Sequence, residues 1–101
     1  MKKKSSKLAA LEKNRFSILT DDLDRCYICG RKRDNLHEVY EGAKRIPSMK
    51  YGCVLPLCYP CHVRIHSDRN MALLYKRTFQ VKFMTIYPEL KFIDIFKVNY
   101  L

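Results

Sequence analysis

Five cysteines and three histidines are the residues of this chain whose types and spacing best suit metal chemistry. Cys26 and Cys29 form one Cys-x-x-Cys pair, and Cys58 and Cys61 form a second. This spacing lets one turn of chain present two thiolates to a single tetrahedral ion, so two such pairs complete a four-cysteine zinc site. Four thiolates leave no coordination position for water. We therefore predict that this zinc has a structural and not a catalytic role.

The fifth cysteine, Cys53, has no partner at a comparable spacing. We expect it to be a small buried apolar residue. An odd number of cysteines, without an apolar export signal, argues against a disulfide scaffold and favours a reducing compartment. We therefore expect the protein in the cytoplasm.

The three histidines lie around the cysteine pairs. His62 directly follows Cys61, and His66 comes four residues later, on the same face of any helix that begins there. His37 lies at the start of a predicted strand. A strand pair after the first cysteine turn and a helix after the second would bring His37 opposite the other two histidines. Three neutral imidazoles can hold a divalent metal with open positions.

The pattern of apolar residues predicts a small α+β domain over residues 15–101, behind a basic, flexible leader of residues 1–14. Pro88 ends the longest helical period. In chain order, the predicted elements are a short strand over 15–19, a strand over 36–40, a loop over 42–48, a strand over 51–57, a helix over 61–66 and a helix over 71–87. The apolar residues 90–96 favour a short helix, with a strand as the alternative.

The charge of the chain favours a polyanionic partner. Lysines and arginines number 20 against 10 acidic residues, a formal charge of +10, and such an excess on a small surface most often serves nucleic-acid binding. The sequence contains no apolar run of about 18 residues, so it predicts no membrane-spanning helix. An alternative hypothesis is a zinc module that binds other proteins, in which the charge is incidental. The candidate phosphate contacts are Lys44, Arg45, Lys50, Arg64, Arg69, Lys76 and Arg77.

Several motifs together resemble a known family. Leu36-His37-Glu38-Val39, followed by Leu57-Cys58-x-x-Cys61-His62-x-x-x-His66 and preceded by Cys26-x-x-Cys29, resembles the HNH endonucleases of the ββα-metal type with an added four-cysteine zinc site. The His-Glu-Val-Tyr-x-Gly segment, Met49-Lys50-Tyr51-Gly52 and the terminal Ile95-Phe96-x-x-Asn99-Tyr100-Leu101 are similar to small phage and prophage proteins of the RecA-dependent (Ref-like) nuclease group. The resemblance runs from about residue 15 to residue 101.

The resemblance implies a small ββα-metal domain with C-terminal helices. It also implies a metal-dependent DNA endonuclease of phage or prophage origin, which hydrolyses phosphodiester bonds in DNA processing or recombination in the bacterial host cell. DNA is the implied partner, together with a recombinase filament. His37, His62 and His66 would hold a second divalent ion such as Mg²⁺ or Mn²⁺, distinct from the structural zinc.

Two positions depart from the family pattern. Glu38 stands where the family carries its histidine base, and Cys53, nine positions before His62, stands where it carries an asparagine that orients the base. In an alternative register His37 is itself the base, and only His62 and His66 hold the metal. The departures also keep open a second function, a catalytically impaired DNA-binding zinc module that retains the HNH fold.

Overall fold

The sheet consists of two short strands, β1 (Asn35–Glu38) and β2 (Val54–Leu57), in a computed structural model that describes residues 6–101. The strands pair antiparallel, with His37 opposite Leu55 and Glu38 opposite Val54. All four residues of β2 are buried. Strand β2 therefore lies in the protein interior, whereas β1 is only partly buried and carries the polar residues His37 and Glu38.

Five α-helices surround the sheet within residues 6–101. They are α1 (Ser6–Lys13), α2 (Arg45–Lys50), α3 (Tyr59–Ser67), α4 (Arg69–Ile86) and α5 (Phe92–Phe96), and a 3-10 turn (Gly42–Lys44) precedes α2. Pro60 lies in the first turn of α3, where its fixed φ suits a helix start. Asp68 caps α4 by accepting a hydrogen bond from the Met71 backbone N–H at 3.1 Å. These elements confirm the α+β class.

Most predicted elements are confirmed, and two are wrong. The predicted strands at 36–40 and 51–57 appear as β1 and β2, and the three predicted helices appear as α3, α4 and α5. Residues 15–19 form no strand; Ile18 donates one backbone hydrogen bond to Gly52 at 2.9 Å. The predicted loop at 42–48 contains the 3-10 turn and the start of α2, because burial of Ser48 and Met49 stabilises a helix there.

An aromatic core holds the helices against the sheet. Tyr40 follows β1, and its ring lies 4.6 Å from that of Phe96 on α5. Phe83 on α4 lies 5.5 Å from Phe92 on α5, centroid to centroid. Gln80 then ties the C-terminal residues to α4 by accepting a hydrogen bond from the Tyr100 backbone N–H at 2.8 Å. Packing of α4 and α5 in this way fixes the position of β1 and of the side chains it carries.

The basic leader is described from residue 6 onward, so the lysines at positions 2–4 lie outside the described residues. Its helix α1 buries no residue. Glu12 on α1 nevertheless pairs with Arg45 on α2 at 3.0 Å, which joins the leader to the domain. Within residues 6–101, no helix is both long enough and apolar enough to cross a membrane.

Candidate metal centres

The four paired cysteines converge in the structure. The first pair lies in a tight hairpin, in which Gly30 takes a positive φ of 78° and donates to the Cys26 carbonyl at 2.9 Å. In the second pair, Cys58 lies immediately before α3, at its N-cap position, and Cys61 lies in the first turn of α3. The four Sγ atoms of these cysteines all lie within 4.8 Å of one another. The predicted cluster of four cysteines is therefore present and can bind a metal such as zinc.

The electrostatics of this cluster also suit a divalent cation. Burial opposes ionisation of Cys26, but backbone N–H groups of Cys58, Cys29 and Ile28 outweigh it and lower the pKa of the Cys26 thiol to about 6. Burial and the neighbouring thiols raise the pKa of Cys61 to about 12. One thiolate is thus stabilised while a neighbouring one is disfavoured. A dication reverses the second effect, because its positive charge stabilises each thiolate that binds it.

A second cluster brings together the three predicted histidines. His37 lies on β1, and His62 and His66 lie one turn apart on α3. The ring centroid of His37 is 5.2 Å from each of the other two, and His62 Nε2 lies 3.0 Å from His66 Nε2. One nitrogen from each ring lies within 4.8 Å of the others. The strand and the helix therefore present three imidazoles to one point.

Two of these imidazoles are held uncharged at neutral pH. Burial, together with the charges of His62, His66 and Lys76, lowers the pKa of His37 to about 4. Burial and the neighbouring His66 also lower the pKa of His62, although Glu41 and Glu38 oppose the shift. A neutral imidazole offers the lone pair that a metal ion needs. The donor set therefore fits a divalent transition metal.

A cavity of about 180 Å³ opens beside this cluster. Lys76 of α4 lines it together with His37 and His66, and the positive charge of Lys76 acts on His37. Glu41 also lines it, and its Oε1 lies 3.7 Å from both His37 Nε2 and His66 Nδ1. Sequence reasoning missed Glu41; the available signal was a carboxylate four residues after His37, just beyond the predicted strand.

Glu38 follows His37 in β1, but its side chain contacts arginines and not the imidazoles. Its Oε1 accepts hydrogen bonds from Arg15 at 3.0 Å and from Arg45 at 3.2 Å. Oε2 of Glu38 has no hydrogen-bond partner among residues 6–101. The negative charge of Glu38 nevertheless acts to raise the pKa of His62. The two arginines thus orient the carboxylate through one of its oxygens.

The predicted phosphate contacts have different surroundings. Arg45 is occupied by ion pairs with Glu38 and Glu12, and Lys50 lies 5.4 Å from the centre of the Tyr51 ring. Lys44 is half-buried in the 3-10 turn. Arg64 on α3 and Arg69 at the start of α4 are exposed and form no ion pair with the described part of the chain.

Comparison of the chain with protein-family models, with curated proteins and with solved structures found no match.

Proposed function

We propose that this protein is a metal-dependent DNA endonuclease of the HNH, or ββα-metal, type. The observation that carries the proposal is the convergence of His37, His62 and His66 from a strand and a helix onto one point. Lys76 lines the cavity beside these histidines, and its charge acts on His37. The formal charge of +10 favours a polyanionic substrate.

The two clusters have different roles in this proposal. Zinc in the cysteine cluster anchors the first turn of α3 through Cys58 and Cys61, and His62 directly follows the second of these ligands. Zinc binding therefore fixes the helix that carries two of the three imidazoles. His37, His62 and His66 would hold a second divalent ion, which would supply polarisation of the scissile phosphodiester and a bound water of lowered pKa.

Glu38 is the proton acceptor in the proposal. Its Oε1 is fixed by two guanidinium groups, and its Oε2 is free to accept a proton from a water molecule. A base held by a third group is the arrangement expected for an activated nucleophile. His37 is assigned to the metal because it is buried and faces the two other imidazoles.

Arg64, Arg69 and Lys76 supply the DNA contacts. Arg64 and Arg69 are exposed cations near the ends of α3 and α4, and Lys76 lies at the cavity itself. Exposed cations contribute affinity for the phosphate backbone, independent of sequence. A role in DNA processing or recombination of a phage, with a recombinase filament as partner, belongs to the same proposal and rests on the sequence resemblance.

Nicking of supercoiled plasmid tests the proposal. The zinc-loaded protein is freed of other ions and assayed with Mg²⁺, Mn²⁺, Co²⁺ or Ni²⁺, while DNA binding is measured in parallel. We expect relaxed circles only when one of these ions is added. Binding of DNA without nicking under every ion would contradict the endonuclease and support the DNA-binding zinc module instead.

A further inference from the structure

Glu41 lies between two histidines of the second cluster. It follows the end of β1, its side chain is half-exposed, and its Oε1 lies 3.7 Å from His66 Nδ1 and 3.7 Å from His37 Nε2. These distances are longer than a hydrogen bond, so a shift of about 0.8 Å would form one. The described part of the chain places no other carboxylate within ion-pair distance of these two rings.

The orientation of the His66 ring determines what this carboxylate can do. Nε2 of His66 faces Nε2 of His62 at 3.0 Å, and it is therefore the nitrogen directed at the common metal position. The opposite nitrogen, Nδ1, is the one that faces Glu41. A metal-binding histidine needs a proton on the nitrogen that does not bind the metal, and a carboxylate is a usual acceptor for that proton.

We propose that Glu41 is a positioning residue for the second metal, whose carboxylate accepts the Nδ1–H of His66 and so keeps Nε2 unprotonated and directed at the ion. The inference rests on the proposed function, since it assigns a role toward the same ion. The inference also determines which ring donates the hydrogen bond between Nε2 of His62 and Nε2 of His66. With His66 protonated at Nδ1, His62 donates and His66 accepts.

The first test uses the zinc-loaded protein without a second ion. Long-range ¹⁵N–¹H spectra of histidine-labelled protein report which nitrogen of each neutral ring carries hydrogen. We expect His66 as the Nδ1–H tautomer in the native chain and a shift toward the Nε2–H tautomer in Glu41→Ala. Glu89→Gln, which removes a distant exposed carboxylate, is the matched control and should leave the His66 signals unchanged.

The second test measures metal affinity by calorimetric titration with Mn²⁺ and Co²⁺. We expect Glu41→Ala to weaken binding by about 10- to 100-fold, the usual effect of removing a carboxylate that supports a metal-binding histidine. Zinc content and circular dichroism should match those of the native chain. The absorption spectrum of bound Co²⁺ should keep its band positions, because the ligands themselves are unchanged.

Three results would overturn the inference. Unchanged His66 tautomer and unchanged affinity in Glu41→Ala would show that the carboxylate has no such role. A Co²⁺ spectrum that shows a missing ligand would make Glu41 a direct ligand. Failure of the native chain to bind any second ion would overturn the inference together with the proposed function, whereas either of the first two results would overturn the inference alone.

Discussion

Nε2 of His62 and Nε2 of His66 lie 3.0 Å apart on one face of α3. Two neutral nitrogens at this distance form a hydrogen bond only if one of them carries hydrogen. With an ion bound, both lone pairs point to the same centre. The helix thus holds the pair at a separation that suits both states. Because Cys61 immediately precedes His62, a metal held by the cysteine cluster would also fix the helix that carries two of the three histidines.

The cysteine cluster should make folding depend on zinc. We expect the purified protein to contain about one tightly held zinc per chain and Cys58→Ser to lose it, because three sulfurs no longer complete a tetrahedral set. Without the metal, the first turn of α3 has no anchor, so the variant should be unfolded or insoluble. Elemental analysis and circular dichroism check both expectations.

Cys53→Ala is the matched control for this prediction. Cys53 is fully buried but lies outside the cluster, so its replacement should cost about 1–2 kcal/mol of unfolding free energy and leave zinc content unchanged. A Cys58→Ser protein that folds completely without metal would show that the cluster is not a structural zinc site.

His62 and His66 should be dispensable for folding but essential for nicking. His62 is partly buried and His66 is exposed, so truncation of either opens little of the core. We expect His62→Ala and His66→Ala to keep zinc and a native circular dichroism spectrum while losing metal-dependent nicking. If either variant instead releases zinc and unfolds, the histidines are structural and the model of two separate sites is wrong.

The metal clusters were predictable from sequence because their spacing is local. The spacing within each Cys-x-x-Cys pair and within the His-x-x-x-His pair predicts that the two donors lie on the same turn, independently of tertiary packing. The position of His37 opposite the helix needed only the order strand, strand, helix. By contrast, α2 was not predicted, because Ser48 and Met49 become helical through burial in the tertiary structure. Burial of this kind cannot be inferred from a short segment of sequence.

The sequence indicated Arg45 as a partner of Glu38, but the contacts of Glu38 with Arg15 and of Glu41 with His66 could not be predicted, for a related reason. Arg15 lies 23 residues before Glu38, and the contact between them depends on how the chain passes the sheet edge. Glu41 meets His66 because β1 and α3 pack together, a separation of 25 residues along the sequence. Long-range contacts of this kind leave no periodic pattern.

DNA binding should weaken steeply with salt. Each phosphate that the protein neutralises releases about one counterion, so the slope of log K against log salt changes by about 0.9 for each such phosphate. We expect Arg64→Gln and Arg69→Gln each to reduce the slope by about that amount without changing stability. Fluorescence anisotropy with a labelled duplex over a salt series measures the slope.

Arg45→Gln should have the opposite effects to Arg64→Gln and Arg69→Gln. Arg45 is occupied by Glu38 and Glu12, so its removal should lower the melting temperature and change the slope little. A flat salt dependence of the native protein, or no binding at low salt, would instead favour the hypothesis of a protein–protein zinc module.

His37 should make stability depend on pH when the second site holds no ion. Its pKa is lowered from 6.5 to about 4 by burial and nearby positive charge, so between these values the unfolded chain binds a proton that the folded chain does not. The unfolding free energy therefore falls as the pH drops from 6.5 toward 4, by about 3 kcal/mol in total for this group.

Denaturant titrations of the native chain and of His37→Asn at several pH values measure this dependence. Loss of zinc at acid pH affects both proteins alike, so the difference between their slopes isolates His37. We expect the native chain to show the steeper dependence. Equal slopes would contradict the burial of a neutral imidazole at this position.

Glu38 provides the sharpest test of the proposed chemistry, because it is both a candidate base and a partner of two arginines. Glu38→Gln removes the proton acceptor while keeping the shape of the side chain, so we expect nicking to slow by about 100-fold or more. It also leaves Arg15 and Arg45 without a carboxylate at this position, which should cost about 1–3 kcal/mol of unfolding free energy. Rates are therefore compared at a temperature where both proteins are fully folded.

Arg15→Gln separates the two effects, since it removes one ion pair and leaves the Glu38 carboxylate in place. We expect it to lower the melting temperature similarly and to slow nicking far less. Glu38→His should retain activity, with its acid limit near about pH 6.5, the ordinary imidazole value. If Glu38→Gln nicks as fast as the native chain, while His37→Ala still binds the second ion but is inactive, then His37 is the base and only His62 and His66 hold the metal.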